Sequence, residues 1–322
     1  MSLSIRKCIS ELARLPTTAS QTTRKLTNKV LYHGYTIWLF TQSDLKTIIV
    51  PSSVFGLIGA LSGPPLLTGS LPNEAILFRA PHVLLWTWST LLPFAINNQC
   101  QEDAITEDRH NKPWRPLPSK RIAPSSATWL MLLLYIVNLL LSPHLGGFWQ
   151  SISMLFLGTW YNRLGGADRS AVEKNFINAA GYISFVSGAL SVAISDRNSG
   201  VGFGAIAIPW FLCIGLVILT TVHTQDFQDV DGDAARGRIT VPLAIGDGVA
   251  RLTVALAVPF WSLFIPWYFQ SHLLGWVGPI ILATVVSYRI SLRRNKTDDK
   301  VTFVCWNLWI VSLYAVPFYI YG

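Results

Sequence analysis

The sequence predicts an all-α membrane protein with nine transmembrane helices. Three observations carry this reading. The first is composition: of 322 residues, 51% are hydrophobic and 13% charged, about half the charged fraction of a soluble domain. So few charges cannot cover a water-soluble fold of this size, and the composition also excludes a disordered chain or a small disulfide scaffold. The second is run length. Mostly apolar stretches recur at approximately 45–62, 76–99, 123–142, 148–164, 176–194, 204–226, 250–269, 272–290 and 301–321, near the ~20 residues a helix needs to cross hydrocarbon. The third is that 23 of the 25 Lys and Arg fall on one side of such a bundle.

Taken in order, residues 1–34 form a basic, Ser/Thr-rich segment whose single acid is Glu11. A mitochondrial transit peptide has that composition, and so does a mobile cytoplasmic tail. The tail is the expectation, with 35–322 as a single domain. The stretches at 45–62 and 148–164 are short. Pro93, Pro209, Pro259, Pro279 and Pro317 lie inside others; they would break soluble helices, but packed membrane helices re-satisfy the freed backbone groups. Continuous runs without alternation exclude a β-barrel.

With nine crossings, the tail and every second loop share a side. Seven basic residues up to Lys46 lie there, as do those after the second stretch (Arg109, Lys112, Arg115, Lys120, Arg121) and the fourth (Arg163, Arg169, Lys174). The sixth adds Arg236, Arg238 and Arg251, and the eighth adds Arg289, Arg293, Arg294, Lys296 and Lys300; Arg79 and Arg197 remain for the other side. The bias puts the N-terminus and charged loops in the cytoplasm. The endoplasmic reticulum is the expected membrane, the mitochondrial inner membrane the alternative. The net charge of +8 is thus an orientation signal, and no nucleic-acid partner is expected. Cys8, Cys100, Cys213 and Cys305 are scattered without CxxC, and the histidines lack metal-ligand spacing, so no zinc site is expected. No obligate protein partner is evident.

Eight of the 17 acids sit in two segments of that charged face: Glu102, Asp103, Glu107 and Asp108, then Asp226, Asp229, Asp231 and Asp233. Clustered carboxylates beside a bilayer repel one another unless cations neutralise them. Asp226, Asp229 and Asp233 are three and four apart and share one face of a helical end. Hard oxygen donors at that spacing suit Mg²⁺, which keeps positions for phosphate oxygens. Arginines follow each cluster, and their fork matches phosphate. Solvated loops that merely mark topology are the plainer reading; two clusters after corresponding stretches favour a diphosphate held through Mg²⁺.

Asn111-Lys112-Pro113-Trp114-Arg115-Pro116-Leu117-Pro118-Ser119 resembles the tail of the first Asp-rich motif of the UbiA superfamily of intramembrane prenyltransferases, and Asp226-Phe227-Gln228-Asp229-Val230-Asp231-Gly232-Asp233 resembles its second. The resemblance covers roughly residues 40–322. It implies a helical bundle around a lipid-accessible cavity, capped by cytoplasmic loops that bind Mg²⁺ and an isoprenyl diphosphate. One departure matters: where the first motif usually carries its first and middle Asp, this chain has Gln101 and Ala104, with its acids shifted. In this it resembles a fungal branch that includes meroterpenoid prenyltransferases and membrane terpene cyclases.

The resemblance implies Asn98, Asp103, Asp108, Asp226, Asp229 and Asp233 as metal ligands, with Asp108, Asp226 and Asp233 catalytic. It implies Arg115, Lys174 and Arg236 as diphosphate ligands, and Glu102, Glu107, Lys112, Tyr161, Asn162, Arg163 and Arg238 as further candidates. The expected reaction is transfer of a farnesyl or geranylgeranyl group to an aromatic or pyrone-like acceptor in terpenoid secondary metabolism. The alternative is a terpene cyclase acting on the same diphosphate without an acceptor; a transporter would carry charges within its spans or two similar halves. Most of Trp86, Trp88, Trp129, Trp160, Trp261, Trp306 and Trp309 are expected as membrane-interface anchors, the alternative being a cation-lining role.

Overall fold

The computed structural model describes residues 15–195 and 199–320; residues 1–14 of the expected tail, and Arg197, lie outside them. Among the described residues the elements are helical, apart from two isolated β-bridges. Helix α1 (Leu15–Thr41) passes through a 3-10 turn (Gln42–Asp44) and a π-helical turn (Leu45–Ile49) into α2 (Val50–Ser62). The basic segment that the sequence sets apart is therefore helical from Leu15 onward. There follow α3 (Asn73–Gln99), the short α4 (Glu102–Asn111), α5 (Pro124–Leu145), α6 (Phe148–Asn162), the single turn α7 (Gly166–Arg169) and α8 (Ala171–Ala193). Next, α9 (Ala207–Thr221) is prolonged by a 3-10 segment (Val222–Gln228) before α10 (Val230–Arg236) and α11 (Val241–Ile245). The long α12 (Asp247–Tyr268), α13 (Leu274–Leu292) and α14 (Lys296–Tyr314) complete the bundle.

Local chemistry sets these boundaries. Pro124 opens α5, where a missing N–H costs nothing, and Gly146 closes it in a left-handed conformation (φ 114°). The side chains of Ser170 and Asn295 accept from the N–H groups of Val172 and Asp298, starting α8 and α14.

Seven helical segments among the described residues are long and apolar enough to cross a membrane: Thr23–Ser62, Pro124–Leu145, Ala171–Ala193, Ala207–Gln228, Asp247–Tyr268, Leu274–Leu292 and Lys296–Tyr319. The remaining two of the nine expected spans are helices, but they stop short of that standard for physical reasons. Helix α3 carries Glu74, Arg79, His82 and two prolines. Helix α6 has 15 residues, about 22 Å of rise against about 30 Å of hydrocarbon.

Helix α8 is the centre, packed against α2, α3, α6 and α9. Its sequence explains this: Ala179, Ala180, Gly181, Ser184, Ser187, Gly188 and Ala189 let neighbouring helices approach closely. A Cβ on Gly188 would lie 2.0 Å from the Trp86 ring. Trp86, Trp306 and Trp309 are accordingly not interface anchors but core residues. Their N–H groups are satisfied by the Ser151, Thr221 and Ser262 hydroxyls, which removes the usual cost of burying an indole. Trp129, with Phe78 and Trp149, is about three-quarters exposed on the bundle's outer surface.

Arg79, far from the other cations in the charge pattern, donates to the Val192 and Leu145 carbonyls. It thereby caps the C-terminal ends of α8 and α5, where carbonyls lack helical partners. At the opposite end, a small core of Phe40, Leu92, Ile96, Ile105, Leu117, Ala127 and Met131 ties α4 and the loop after it to α1, α3 and α5. That core positions the first acidic segment.

Candidate active site

The two acidic segments form the facing walls of one polar cap. Helix α4 begins with Glu102 and Asp103, which complement its N-terminal dipole and are exposed; Ala104 and Asp108, a turn apart, face inward and are buried. The second wall is the 3-10 segment followed by α10. Gly232 lets it close on α4, since a Cβ there would lie 2.1 Å from Asn111 Nδ2 and 3.3 Å from Glu107 Cγ. Arg236 Nη1 reaches Glu107 Oε2 across the gap at 3.3 Å.

A cavity of about 570 Å³ lies between the walls. Of the residues expected from sequence, Asn98, Asp108, Asp226, Asp229, Asp233, Arg115, Lys174 and Arg236 line it, together with Glu107, Lys112, Tyr161 and Arg238. Others stand elsewhere. Asp103 lines an adjoining outer cavity with Asp231 and Glu107, and Glu102 is exposed on α4. Asn162 donates to the Gly158 carbonyl within its own helix. Arg163 donates to Asn97 Oδ1 at 3.0 Å.

Within the cavity, acids and bases are matched. Lys174 Nζ lies 2.7 Å from Asp226 Oδ1, with both side chains 3% exposed. Arg115 Nη1 donates to both Asp108 oxygens at 2.9 Å. Arg238 bridges Asp233 (3.2 Å) and Asp168 (2.9 Å), and Arg236 also approaches Asp168 at 3.4 Å. Burial raises the Asp233 carboxyl to about 6; the charges of Lys174 and Arg238 oppose this, while those of Asp226 and Glu107 add to it. Burial likewise raises Asp108, against the pull of Arg115. Burial opposes the Arg238 charge, but the nearby carboxylates of Asp233, Glu107 and Asp168 more than compensate and hold it firmly protonated.

The donor set fits Mg²⁺ in kind: hard carboxylate oxygens on two facing walls, with Asp226 Oδ2 buried and without a hydrogen-bond partner. Among the described residues no three carboxylate, His or Cys side chains converge into a ready-made ligand cluster, because the acids are turned onto the arginines and lysine.

Two further features fix the second wall. The Arg251 guanidinium lies 4.3 Å above the Phe227 ring. It is itself held by Asp299 through bonds of 2.8 and 2.9 Å. From sequence, Arg251 was only an orientation charge.

A second, mainly apolar chamber of about 150 Å³ adjoins the cavity, walled by Leu91, Phe94, Met154, Leu157, Ile177, Tyr182 and Phe185. Asp44, Thr47, Asn98, Tyr161 and Gln225 line both spaces. Sequence reasoning missed Asp44, Gln225 and Asp168. Asp44 carried a usable signal, as an acid at the edge of an apolar stretch; Asp168, in an ordinary charged loop, carried none.

Residues 94–311 match the model of the UbiA prenyltransferase family. The chain is 29% identical over 293 residues to the fumagillin beta-trans-bergamotene synthase of Aspergillus fumigatus, covering 88% of this chain and 92% of that one. It is 30% identical over 230 residues to a polyprenyl transferase of Hericium erinaceus, covering 68% and 72%. A UbiA homolog from Archaeoglobus fulgidus, solved bound to GPP and Mg²⁺, superposes with a TM-score of 0.64 at 14% identity, covering 87% of this chain and 98% of that one.

Proposed function

This chain belongs to the UbiA prenyltransferase family, and on that premise we propose that it ionises a farnesyl or geranylgeranyl diphosphate and cyclises the cation without an acceptor. It is an integral, multi-pass membrane protein. The basic cap faces the cytoplasm in this reading, where diphosphate and Mg²⁺ are supplied.

The observation that carries the reading is the junction of a charged cavity with an apolar chamber through five shared residues. Lys174, Arg115, Arg236 and Arg238 donate to the diphosphate oxygens, stabilising negative charge as the allylic C–O bond breaks. Asp226, Asp229 and Asp233 on one wall and Asn98 and Asp108 on the other would hold Mg²⁺, which supplies Lewis-acid neutralisation of the leaving group. The chamber takes the prenyl chain and keeps water from the cation. The rings of Phe94, Tyr161, Tyr182 and Phe185 on its wall offer the aromatic faces that attract positive charge.

Two facts favour cyclisation over transfer. The relative matching 88% of the chain is a bergamotene synthase, and among the described residues no Lys or Arg lines the chamber to bind an acidic acceptor. Transfer, the first expectation from sequence, remains the second reading because of the polyprenyl transferase relative. The test is to incubate the protein in vesicles with each diphosphate and Mg²⁺, without acceptor, and to analyse the extract by gas chromatography and mass spectrometry. Cyclic hydrocarbons support the proposal; turnover only after an aromatic acceptor is added sinks it in favour of transfer.

A further inference from the structure

We propose that Asp44 is the base that ends the reaction, accepting the proton whose loss converts the final carbocation into a neutral hydrocarbon. This rests on the cyclase reading and names a residue for its last step.

Asp44 is the only acid between Thr23 and Ser62, the longest apolar helical segment. An ionisable side chain at the edge of an apolar span is costly to desolvate and points to a function. The backbone is unusual at the same point. The helix tightens into a 3-10 turn ending at Asp44 and then widens into a π-helical turn over Leu45–Ile49. Such departures inside long helices cluster at functional sites, where they re-aim a side chain.

Position supplies the second argument. Of the five residues lining both cavity and chamber, Asp44 is the only carboxylate. The other ionisable groups on the chamber wall are the tyrosines Tyr161 and Tyr182, poor bases at neutral pH. The Asp44 charge reaches Tyr182 on the chamber side. On the cap side, Arg115, Lys112 and Asp108 are the charges that act on it.

Its partners, or their lack, supply the third. Asp108, Asp226, Asp233 and Glu107 each hold a cation within 3.3 Å. Among the described residues, Asp44 forms neither an ion pair nor a hydrogen bond. Its oxygens are free to meet a substrate C–H, whereas each of the paired acids already faces a cation and stands in the polar cavity rather than on the chamber wall.

The step balances without a redox partner. The allylic C–O bond breaks with its electron pair leaving on the diphosphate. An alkene π pair forms the new C–C bond and moves the positive charge. The C–H pair beside the last cation becomes a new double bond, and its proton passes to a carboxylate oxygen of Asp44. The proton then leaves through the polar cavity that Asp44 also lines, resetting the base.

The experiment is to compare the parent, Asp44→Asn and Asp44→Glu in vesicles with farnesyl and geranylgeranyl diphosphate plus Mg²⁺. Diphosphate release and the hydrocarbon-to-alcohol ratio are measured separately. A parent that makes no acceptor-free hydrocarbon overturns the cyclase reading and this proposal together. Given a productive parent, Asp44→Asn should reduce diphosphate release by less than about tenfold, while the deprotonated hydrocarbon falls by about a hundredfold in favour of water-captured alcohols. Asp44→Glu keeps the charge but moves it by a methylene, so it should restore hydrocarbon with a changed double-bond isomer ratio. An unchanged product spectrum in Asp44→Asn overturns the proposal. So does loss of diphosphate release in parallel with hydrocarbon, which would assign Asp44 to diphosphate binding. Should Asp44→Asn fail to fold, an unchanged isomer ratio in Asp44→Glu overturns it.

Discussion

The Lys174–Asp226 pair permits a test in which stability and activity must part. The contact is 2.7 Å, both side chains are 3% exposed, and the second Asp226 oxygen has no hydrogen-bond partner. Replacing Lys174 by Met leaves a buried, unpaired carboxylate, a change that costs about 3–5 kcal/mol. Asp226→Asn leaves a buried ammonium and should cost a similar amount. Removing both charges removes the penalty from each, so the double variant should recover at least about 2 kcal/mol relative to additivity. Activity should follow the opposite rule. In the proposed function Lys174 binds the diphosphate and Asp226 the metal, so each single variant should lose about a hundredfold or more in diphosphate release, and the double variant should regain none. Thermal unfolding in detergent and a diphosphate-release assay on the same preparations read both quantities. Additive stability losses would refute the buried-pair reasoning, and full turnover in Lys174→Met would remove that residue from the site.

Other consequences follow from neighbouring contacts. Asp233 titrates near 6 in the fold against 3.8 unperturbed. Its raised value means that the metal-free protein holds about 3 kcal/mol from this group below pH ~4 and loses it as pH rises through ~6. Mg²⁺ affinity should move the other way, weakening up to about tenfold per unit below pH ~6 as the proton competes, and Asp233→Asn should flatten both profiles in melting and metal-titration experiments. Arg251→Met strands the buried Asp299 and should cost about 3–5 kcal/mol, with Arg251→Met/Asp299→Asn recovering much of the loss in thermal melts. Gly232→Val overpacks the contact with Asn111 by about 1–3 kcal/mol and should raise the KM for diphosphate. Adding Asn111→Ala should relieve it; no relief would place the effect elsewhere.

Much of this arrangement was legible because it depends on local spacing. Asp226, Asp229 and Asp233 do line one cavity, although the chain achieves this with a 3-10 segment leading into α10. The first segment was harder to read because its acids are displaced around Ala104. Asp108 is five positions on from Asp103, about 140° around a helix, so the two cannot share a face of α4. The helix turns Ala104 and Asp108 inward and leaves Asp103 toward the outer cavity. What sequence could not carry are pairings across the chain. Asp168 meets Arg236 and Arg238, and Arg251 meets Asp299 and Phe227, only because packing brings distant segments together. The buried tryptophans show the same limit: composition suggests a membrane interface, but Gly188 and the Ser151 hydroxyl decide where Trp86 sits.

The most direct measurement is an experimental structure with Mg²⁺ and an unreactive prenyl thiolodiphosphate. The expected density places the diphosphate between α4 and α10, against Lys174 and Arg238. The prenyl chain should pass Asp44 into the chamber bounded by Tyr182 and Phe185. A diphosphate bound outside the cap, or a chain lying along the outer surface of the bundle, would contradict the assignment of cavity and chamber as one reaction site.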